Sequence, residues 1–347
     1  MAAVRDNELL DYAIDRPGAP DGVGDIYRGR VIARAPTLGG VFVALSGAAD
    51  GFLPDTEGGK GLTEGAVLAV RVSRAAQGGK GPRLTARLSP EQMAGPGPQG
   101  LVRRGPGAAE RLAMRYPEAP VWVDHPALLA SLRPMLGGRL ALQASVFDDA
   151  MLGAIEALAR PDLELPSGAR LSFHPTPALV AIDVDSGAAA GPHLALNRAL
   201  LPTLARQIRL RNLSGAILVD LAGLPVRRRA SLGPALAESL ADDPVRPRLL
   251  GFTALGLAEI TRPRVHPPLH ELLAGPHAAG LAALRAIAAA VVAEPGRMPV
   301  LRAAPAVVRA VEQDVAALGD VARRTGRTLR LHGDPSLARN QWIMEAP

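Results

Sequence analysis

The chain of 347 residues contains no cysteine, which excludes a disulfide scaffold, a cysteine-ligated zinc site, a thiol nucleophile and an iron–sulfur cluster. Lysine is almost missing as well. Only Lys60 and Lys80 occur, so nearly all of the 39 basic residues are arginines. That bias weakens arginine number as a functional sign, and the net charge of +6 is a weak pointer to a polyanionic partner. Aromatics make up 3% of the chain, so each one is worth locating. Long apolar runs are missing too. The N-terminus, MAAVRDNELLDYAIDRPG, has early charges and no apolar core, unlike a secretory signal. The most apolar stretch, residues 280–293, is too short for a bilayer and carries Arg285. No membrane span and a cytoplasmic location are therefore expected. No P-loop, dinucleotide fingerprint or GxSxG elbow is present, and the GGKG runs at 58–61 and 78–81 lack the strand-to-helix setting of a phosphate loop.

What is there is ample core material, 48% hydrophobic against 21% charged, enough for two or three domains. Residues 1–22 read as a short strand pair ending at a Pro-Gly turn. Residues 23–89 hold five strand-like runs punctuated by glycines (DIYRGRVIARAP, GVFVALSG, DGFLP, AVLAVRVSRA and PRLTARL), the pattern of a small barrel of the OB type. Residues 90–115 are rich in Gly and Pro and predict a linker or loop. From Ala119 strand-like and helical runs alternate. Between 163 and 273 a hairpin feeds the buried strand LVAIDVD, then a helix, the strand GAILVD, a second helix and the strand RPRLLGFT. That order predicts parallel pairing with right-handed crossovers. Residues 274–347 form a last α/β unit.

Asp183 and Asp185, in VAIDVDSG, stand two apart in a strand and share one face. Their apolar neighbours Val180, Ile182 and Val184 suggest a face set against a core. Like charges on one face repel unless a cation lies between them. Asp220 ends the next strand, so a parallel pair brings the three carboxylates to the carboxyl ends, where open α/β sheets bind ligands. Oxygen-only ligation suits Mg²⁺ or Mn²⁺, which can activate water and stabilise charge at phosphorus. The same residues also describe ordinary strand-end or turn aspartates. Arginines crowd this segment. Residues 198–264 hold 11 Arg against 5 acids, an excess as large as that of the whole chain. Arg206, Arg209 and Arg211 lie on the helix between the acidic strands, and Arg227, Arg228 and Arg229 follow Asp220. Such a ring can hold a phosphodiester, or it can be a solvated helical face. In the barrel, Tyr27, Phe42 and Phe52 can stack on bases, with Lys80 on a phosphate, or they can fill the core. His266, His270 and His277 offer helical spacing, but Pro267 and Pro268 interrupt it and no zinc is expected.

The assembled order resembles the bacterial ribonuclease E/G family, as a compact, ribonuclease G-like member. DIYRGRV, GVFV, GFLP and GGKGPRLT resemble its RNA-binding barrel. VAIDVDSG, ARQIRLRNLSGAILVDL and GFTALGLAEITRPR resemble its catalytic domain. The resemblance implies a multidomain α/β fold. An OB-fold RNA-binding barrel (23–89) is inserted in an RNase H-like subdomain (1–22 and 116–162). A shortened 5′-sensor region (90–115), a DNase I-like catalytic domain (163–273) and a small C-terminal domain (274–347) complete it. It implies Mg²⁺-dependent endonucleolytic cleavage of single-stranded, A/U-rich RNA in rRNA processing or mRNA decay. Asp183 and Asp220 match the metal-binding aspartates, and Asp185 stands where Asn is usual. Phe42, Phe52 and Lys80 match RNA-contacting positions, and Arg103 remains from the 5′-phosphate pocket. The departures are equally specific. ELLAGPHAAG replaces the zinc-binding CPxCxGxG motif, so a homodimer would not be linked through zinc and cysteine. LVRRGPG replaces VRTAG, implying weak preference for 5′-monophosphorylated RNA. VDLAG replaces IDFID, putting Gly223 where an acid is usual. The alternative is a catalytically weak or inactive RNA-binding protein of the same family, and a third reading is a nonspecific DNA-binding protein.

Overall fold

The computed structural model describes residues 1–16, 19–92, 97–143, 145–294 and 298–345. All five strand-like runs of the barrel region form strands: Ile26–Ala35, Gly40–Ala44, Gly51–Pro54, Val67–Arg74 and Arg83–Thr85. The long first strand closes the barrel, because it pairs with Val67–Arg71 along its first half and with Gly40–Ala44 along its second. The remaining pairings complete five strands, compatible with an OB fold. Side chains alternate with a period of two. Val41, Val43, Leu53, Val70, Val72 and Leu84 fill the interior.

The Gly/Pro-rich stretch after the barrel is more ordered than the predicted linker. Gly100–Arg103 adds a strand beside Ile26–Arg28, and Ala108–Arg115 is a helix whose Glu110 accepts from the Gly107 N–H at 2.8 Å. Buried Asp25 fixes this segment, accepting from Arg104 at 2.6 Å and from the Gly105 N–H at 2.7 Å. A side chain 79 and 80 residues upstream of its two partners thus orders what composition marks as loop. Residues 93–96 of the stretch lie outside the described residues, as do 17–18, where the Pro-Gly turn was expected.

The largest core belongs to a six-stranded sheet. Its strand order is Asp162–Glu164, Arg170–Pro175, Val180–Asp185, Gly215–Asp220, Ala258–Arg262 and Arg248–Phe252. Only Val180–Asp185 and Gly215–Asp220 run parallel, joined through the helix His193–Leu210. The expected third parallel strand, Arg248–Phe252, instead sits at the edge, and Ala258–Arg262 folds back between it and Gly215–Asp220 in antiparallel pairing. A short hairpin connection leaves no crossover length, so antiparallel return follows. Leu200, Leu201, Leu204 and Ile208 of the helix, with Leu232, Leu236 and Leu240, cover one sheet face and bury Ile182, Val184, Ile217 and Val219.

The strands Ala2–Arg5 and Glu8–Tyr12 form an N-terminal hairpin turning at Asp6 and Asn7, both of positive φ. Leu9 packs with Met151, Leu158, Leu210 and Leu269. Val121–Val123 and Leu140–Leu142 pair in parallel around the helix Pro126–Leu136. The barrel, hairpin and six-stranded sheet belong to one compact unit, residues 1–15 and 21–269. The second unit, residues 16–20 and 270–347, packs the helices Pro276–Ala293, Pro305–Gln313 and Val315–Thr325 on a three-stranded sheet with Val300–Ala303 at its centre. Among the described residues no helix is long and apolar enough to cross a membrane.

Candidate active site

Parallel register sets Asp183 directly beside Asp220. Val180, Ile182 and Val184 point into the core at 5% exposure or less, so the aspartates at 183 and 185 take the other face by strand alternation. This corrects the expectation that the aspartate face lies against a core: it is the sheet's open face, and Asp183 is exposed. The strand ends and the loop after Asp220 enclose a shallow cleft of about 210 Å³, lined by Asp183, Asp185, Ser186, Asp220, Gly223 and Arg229.

The electrostatics follow from this crowding. Partial burial, then the negative charges of Asp220 and Asp185, push the Asp183 carboxyl above the usual carboxylate range, against the pull of Arg170 and His174. Asp185 accepts from the Gly187 N–H at 2.9 Å and from Arg170 at 3.3 Å. Asp220 is ion-paired with Arg229. The Arg229 guanidinium also donates to the Leu224 carbonyl at 2.9 Å, which anchors it in the cleft. The loop behind is pinned by Asn197, fully buried on the helix. Its amide donates to the His193 and Ala222 carbonyls at 2.7 and 2.9 Å, and its oxygen accepts from the Ala222 N–H at 3.1 Å. Gly223 holds φ +58, and a Cβ there would come within 2.6 Å of the His193 ring.

The donor set facing the cleft is carboxylate oxygen, which suits a hard divalent cation. Among the described residues no three His, Cys, Asp or Glu converge as a ligand group. What the described residues offer to such an ion is the neighbouring carboxylate pair Asp183 and Asp220.

Arg206 and Arg209 of the helix, and Arg211 that caps it, go elsewhere. The 18-residue helix His193–Leu210 returns from the carboxyl ends of the strands and spans about 27 Å, so its last turn lies at the sheet's opposite end. There Arg206 pairs with Glu8 at 2.5 Å, and Arg209 pairs with Asp11 at 3.0 Å and Asp242 at 3.2 Å. Arg211 is 5% exposed. Its guanidinium donates to the carbonyls of Leu158, Arg160 and Ala157 and to the Gln207 side chain, lies 4.2 Å over the Phe173 ring, and is drawn down by burial to a pKa of about 10. These arginines brace the fold and do not ring the cleft.

In the barrel, Phe42 and Phe52 are cross-strand partners on the outer face, half-exposed, with ring centroids 5.4 Å apart. Lys80 is exposed in the Gln77–Lys80 turn. Two residues on, the Pro82 carbonyl accepts the Phe52 N–H at 2.9 Å. Tyr27 is 6% exposed inside the barrel core, with its hydroxyl on Asp25 at 3.4 Å, which removes it from any stacking surface. Arg103 is exposed on the added edge strand. His266 bonds Asp21 at 2.6 Å and His277 bonds Asp314 at 2.9 Å. Sequence reasoning passed over Arg170, His174 and Asn197. Only strand register could have found the first two, and nothing in the sequence flags the third.

Residues 132–265, the segment holding all three aspartates and Arg229, match the model of the Ribonuclease E/G family. Ribonuclease E of Nostoc sp. is 36% identical over 126 residues, 34% of this chain and 18% of that protein. Ribonuclease E of Synechocystis sp. is 35% identical over 130 residues, 35% of this chain and 19% of that protein. Ribonuclease G of Escherichia coli K12 is 34% identical over 119 residues, 32% of this chain and 24% of that protein. The chain thus aligns with about a fifth of the length of these relatives, and the barrel lies outside the family-model match. Residues 132–265 of this chain are thus similar to the Ribonuclease E/G family.

Proposed function

We propose that the chain is an endoribonuclease that hydrolyses phosphodiesters of single-stranded, A/U-rich RNA. The observation that carries this is the in-register pair Asp183–Asp220 on an open sheet face, two carboxylates held side by side against their mutual repulsion. Asp183 and Asp220 would hold Mg²⁺, or Mn²⁺ in its place, and that ion supplies activation of water and neutralisation of charge at phosphorus. Asp185, fixed by the Gly187 N–H and Arg170, orients a water or a phosphate oxygen at the cleft's rim. The Arg170 guanidinium, half-exposed beside it, is placed to contact the phosphodiester. The barrel's Phe42 and Phe52 stack bases, and Lys80 holds the backbone. The proposed domain reading keeps 1–22 with 116–162 as an RNase H-like subdomain and 163–273 as the DNase I-like catalytic domain.

A second reading, RNA binding with little cleavage, is favoured by one observation: Arg229 already neutralises Asp220, and Gly223 supplies no further acid. An endonuclease assay separates them. A fluorescent A/U-rich RNA is incubated with protein and Mg²⁺, with EDTA and Asp220→Asn as controls. Cleavage lost in both controls is the expected result. Binding without cleavage, unchanged by Asp220→Asn, refutes the nuclease.

A further inference from the structure

The outer face of the barrel carries a cross-strand row that extends beyond the aromatic pair. Phe42 is paired with Phe52, Phe52 with Arg83, and Arg83 with Arg74, so the four side chains step across four adjacent strands at about 4.8 Å per strand. Arg74 joins this face through a register shift between Val72 and Arg74. Val72 points inward opposite Leu84, and the bulge sets Arg74 in register with Arg83. The next residue, Ala75, donates its N–H to the Val265 carbonyl at 2.9 Å, which brings Arg264 to the same place. Arg264 lies over Gly215, where a Cβ would stand 2.5 Å from its guanidinium, so the glycine leaves room for it.

Arg83 and Arg264 therefore both come close to Arg74. Burial, then the positive charges of Arg83 and Arg264, holds the Arg74 pKa below its ordinary value. The Arg74 Nε is buried without a hydrogen-bond partner. A buried donor with no acceptor, among like charges, is unfavourable unless an anion completes the site. Guanidinium groups and tetrahedral phosphate oxygens are complementary in charge and fork geometry.

We propose that Arg74, Arg83 and Arg264 form a phosphate clamp for the backbone of a single-stranded RNA whose bases stack on Phe42 and Phe52. The aromatic pair within the row selects a polynucleotide over free phosphate, because stacking faces beside a cationic track are how single strands are held. The clamp rests on the reading of the barrel as an RNA-binding surface. It lies at the Gly215 end of the Gly215–Asp220 strand, about 16 Å from Asp220 by strand rise, so it grips RNA away from the cut.

The test is RNA binding by fluorescence anisotropy in EDTA, across a range of salt concentrations, with a labelled A/U-rich 12-mer. Proteins are the wild type, Arg83→Gln, Arg74→Gln/Arg83→Gln, Arg264→Gln and Phe52→Ala, each checked for folding by circular dichroism. Each arginine removed lowers the magnitude of the log–log salt slope by about 0.7. The double variant is expected to bind at least ~10-fold more weakly at 0.1 M salt, with the loss shrinking as salt rises. Phe52→Ala weakens binding with the slope kept. Arginine variants that retain affinity and slope while Phe52→Ala loses affinity overturn the clamp alone. A wild type that binds no RNA overturns the reading of the barrel, and the clamp with it.

Discussion

Arg229→Met changes the cleft by one charge and gives the sharpest prediction. The guanidinium sits on Asp220 and is fixed by the Leu224 carbonyl, with its side chain 15% exposed and that of Asp220 49% exposed. On the proposed function it would therefore compete with a divalent cation for the same carboxylate. A charge-assisted hydrogen bond contributes about 1.5–3 kcal/mol when sheltered, and an exposed ion pair about 0.2–1 kcal/mol. With one partner half in water, about 1–2 kcal/mol is the reasonable value, or roughly 5- to 30-fold in a dissociation constant at ~1.4 kcal/mol per tenfold. Arg229→Met should thus tighten Mn²⁺ binding by that factor, read by electron paramagnetic resonance of free Mn²⁺ or by calorimetry. Asp220→Asn should weaken it. Arg227→Met, which removes an exposed neighbouring charge, controls for the general field and should shift affinity by less than about threefold, since exposed charges are screened within ~10 Å at 0.1 M salt. Mn²⁺ affinity in Arg229→Met equal to that of Arg227→Met, or weaker than wild type, refutes the competition.

Arg211→Met should cost about 3–5 kcal/mol of stability in urea unfolding, because it strips the donors from three carbonyls in a buried site, while RNA affinity of the folded protein is unchanged. RNA binding lost at full stability would restore Arg211 to the binding surface. Gly223→Ala should cost about 1–2 kcal/mol from its φ of +58, and Gly223→Asn less, since Asn tolerates that region. Equal losses would mean that the His193 ring, not the backbone, sets the cost. Burial pushes the Asp21 carboxyl up, but the hydrogen bond and charge of His266, with the Val23 N–H and Arg111, more than offset it and leave its pKa below the ordinary value. Its stabilisation is then complete above the unfolded pKa of about 4 and is lost as pH falls through the lower folded value. Asp21→Asn should flatten urea-measured stability across that acid window, and an unchanged profile would refute the role.

Some of this architecture was legible in the sequence because the signals were local. Val41, Val43, Val70 and Val72 alternate with outward residues over single strands, so the five barrel strands could be counted from period alone. The Asp183–Asp220 pairing was legible for a related reason: a strand, a helix and a strand force parallel neighbours, and the two acids sit at matching ends. What failed were features set by distant partners. The strand Gly100–Arg103 depends on an edge offered by Ile26–Arg28, and its following turn depends on Asp25. No window over GPGPQGLVRRGPG contains either.

The arginines show how topology overrides composition. A crowd of positive charge between two acidic strands suggests a phosphate-binding ring, but a helix in a parallel crossover runs backward. Its charged last turn is carried to the far end of the sheet, where Asp11, Asp242 and Glu8 meet Arg209 and Arg206. Arg229 reaches the cleft for the opposite reason: it follows Asp220 by nine residues, and so short a loop cannot leave the carboxyl end. Arg74 and Arg83, 146 or more residues before Arg229, meet Arg264 because a barrel strand bonds to the segment leaving the sheet. Charge counted along the chain therefore has weight only after strand direction has assigned each residue to an end. On that reckoning Arg170 and Arg229 stand by the cleft aspartates, and Arg74 and Arg83 lie in the barrel row with Arg264 beside them, while Arg206 and Arg209 of the helix lie at the far end.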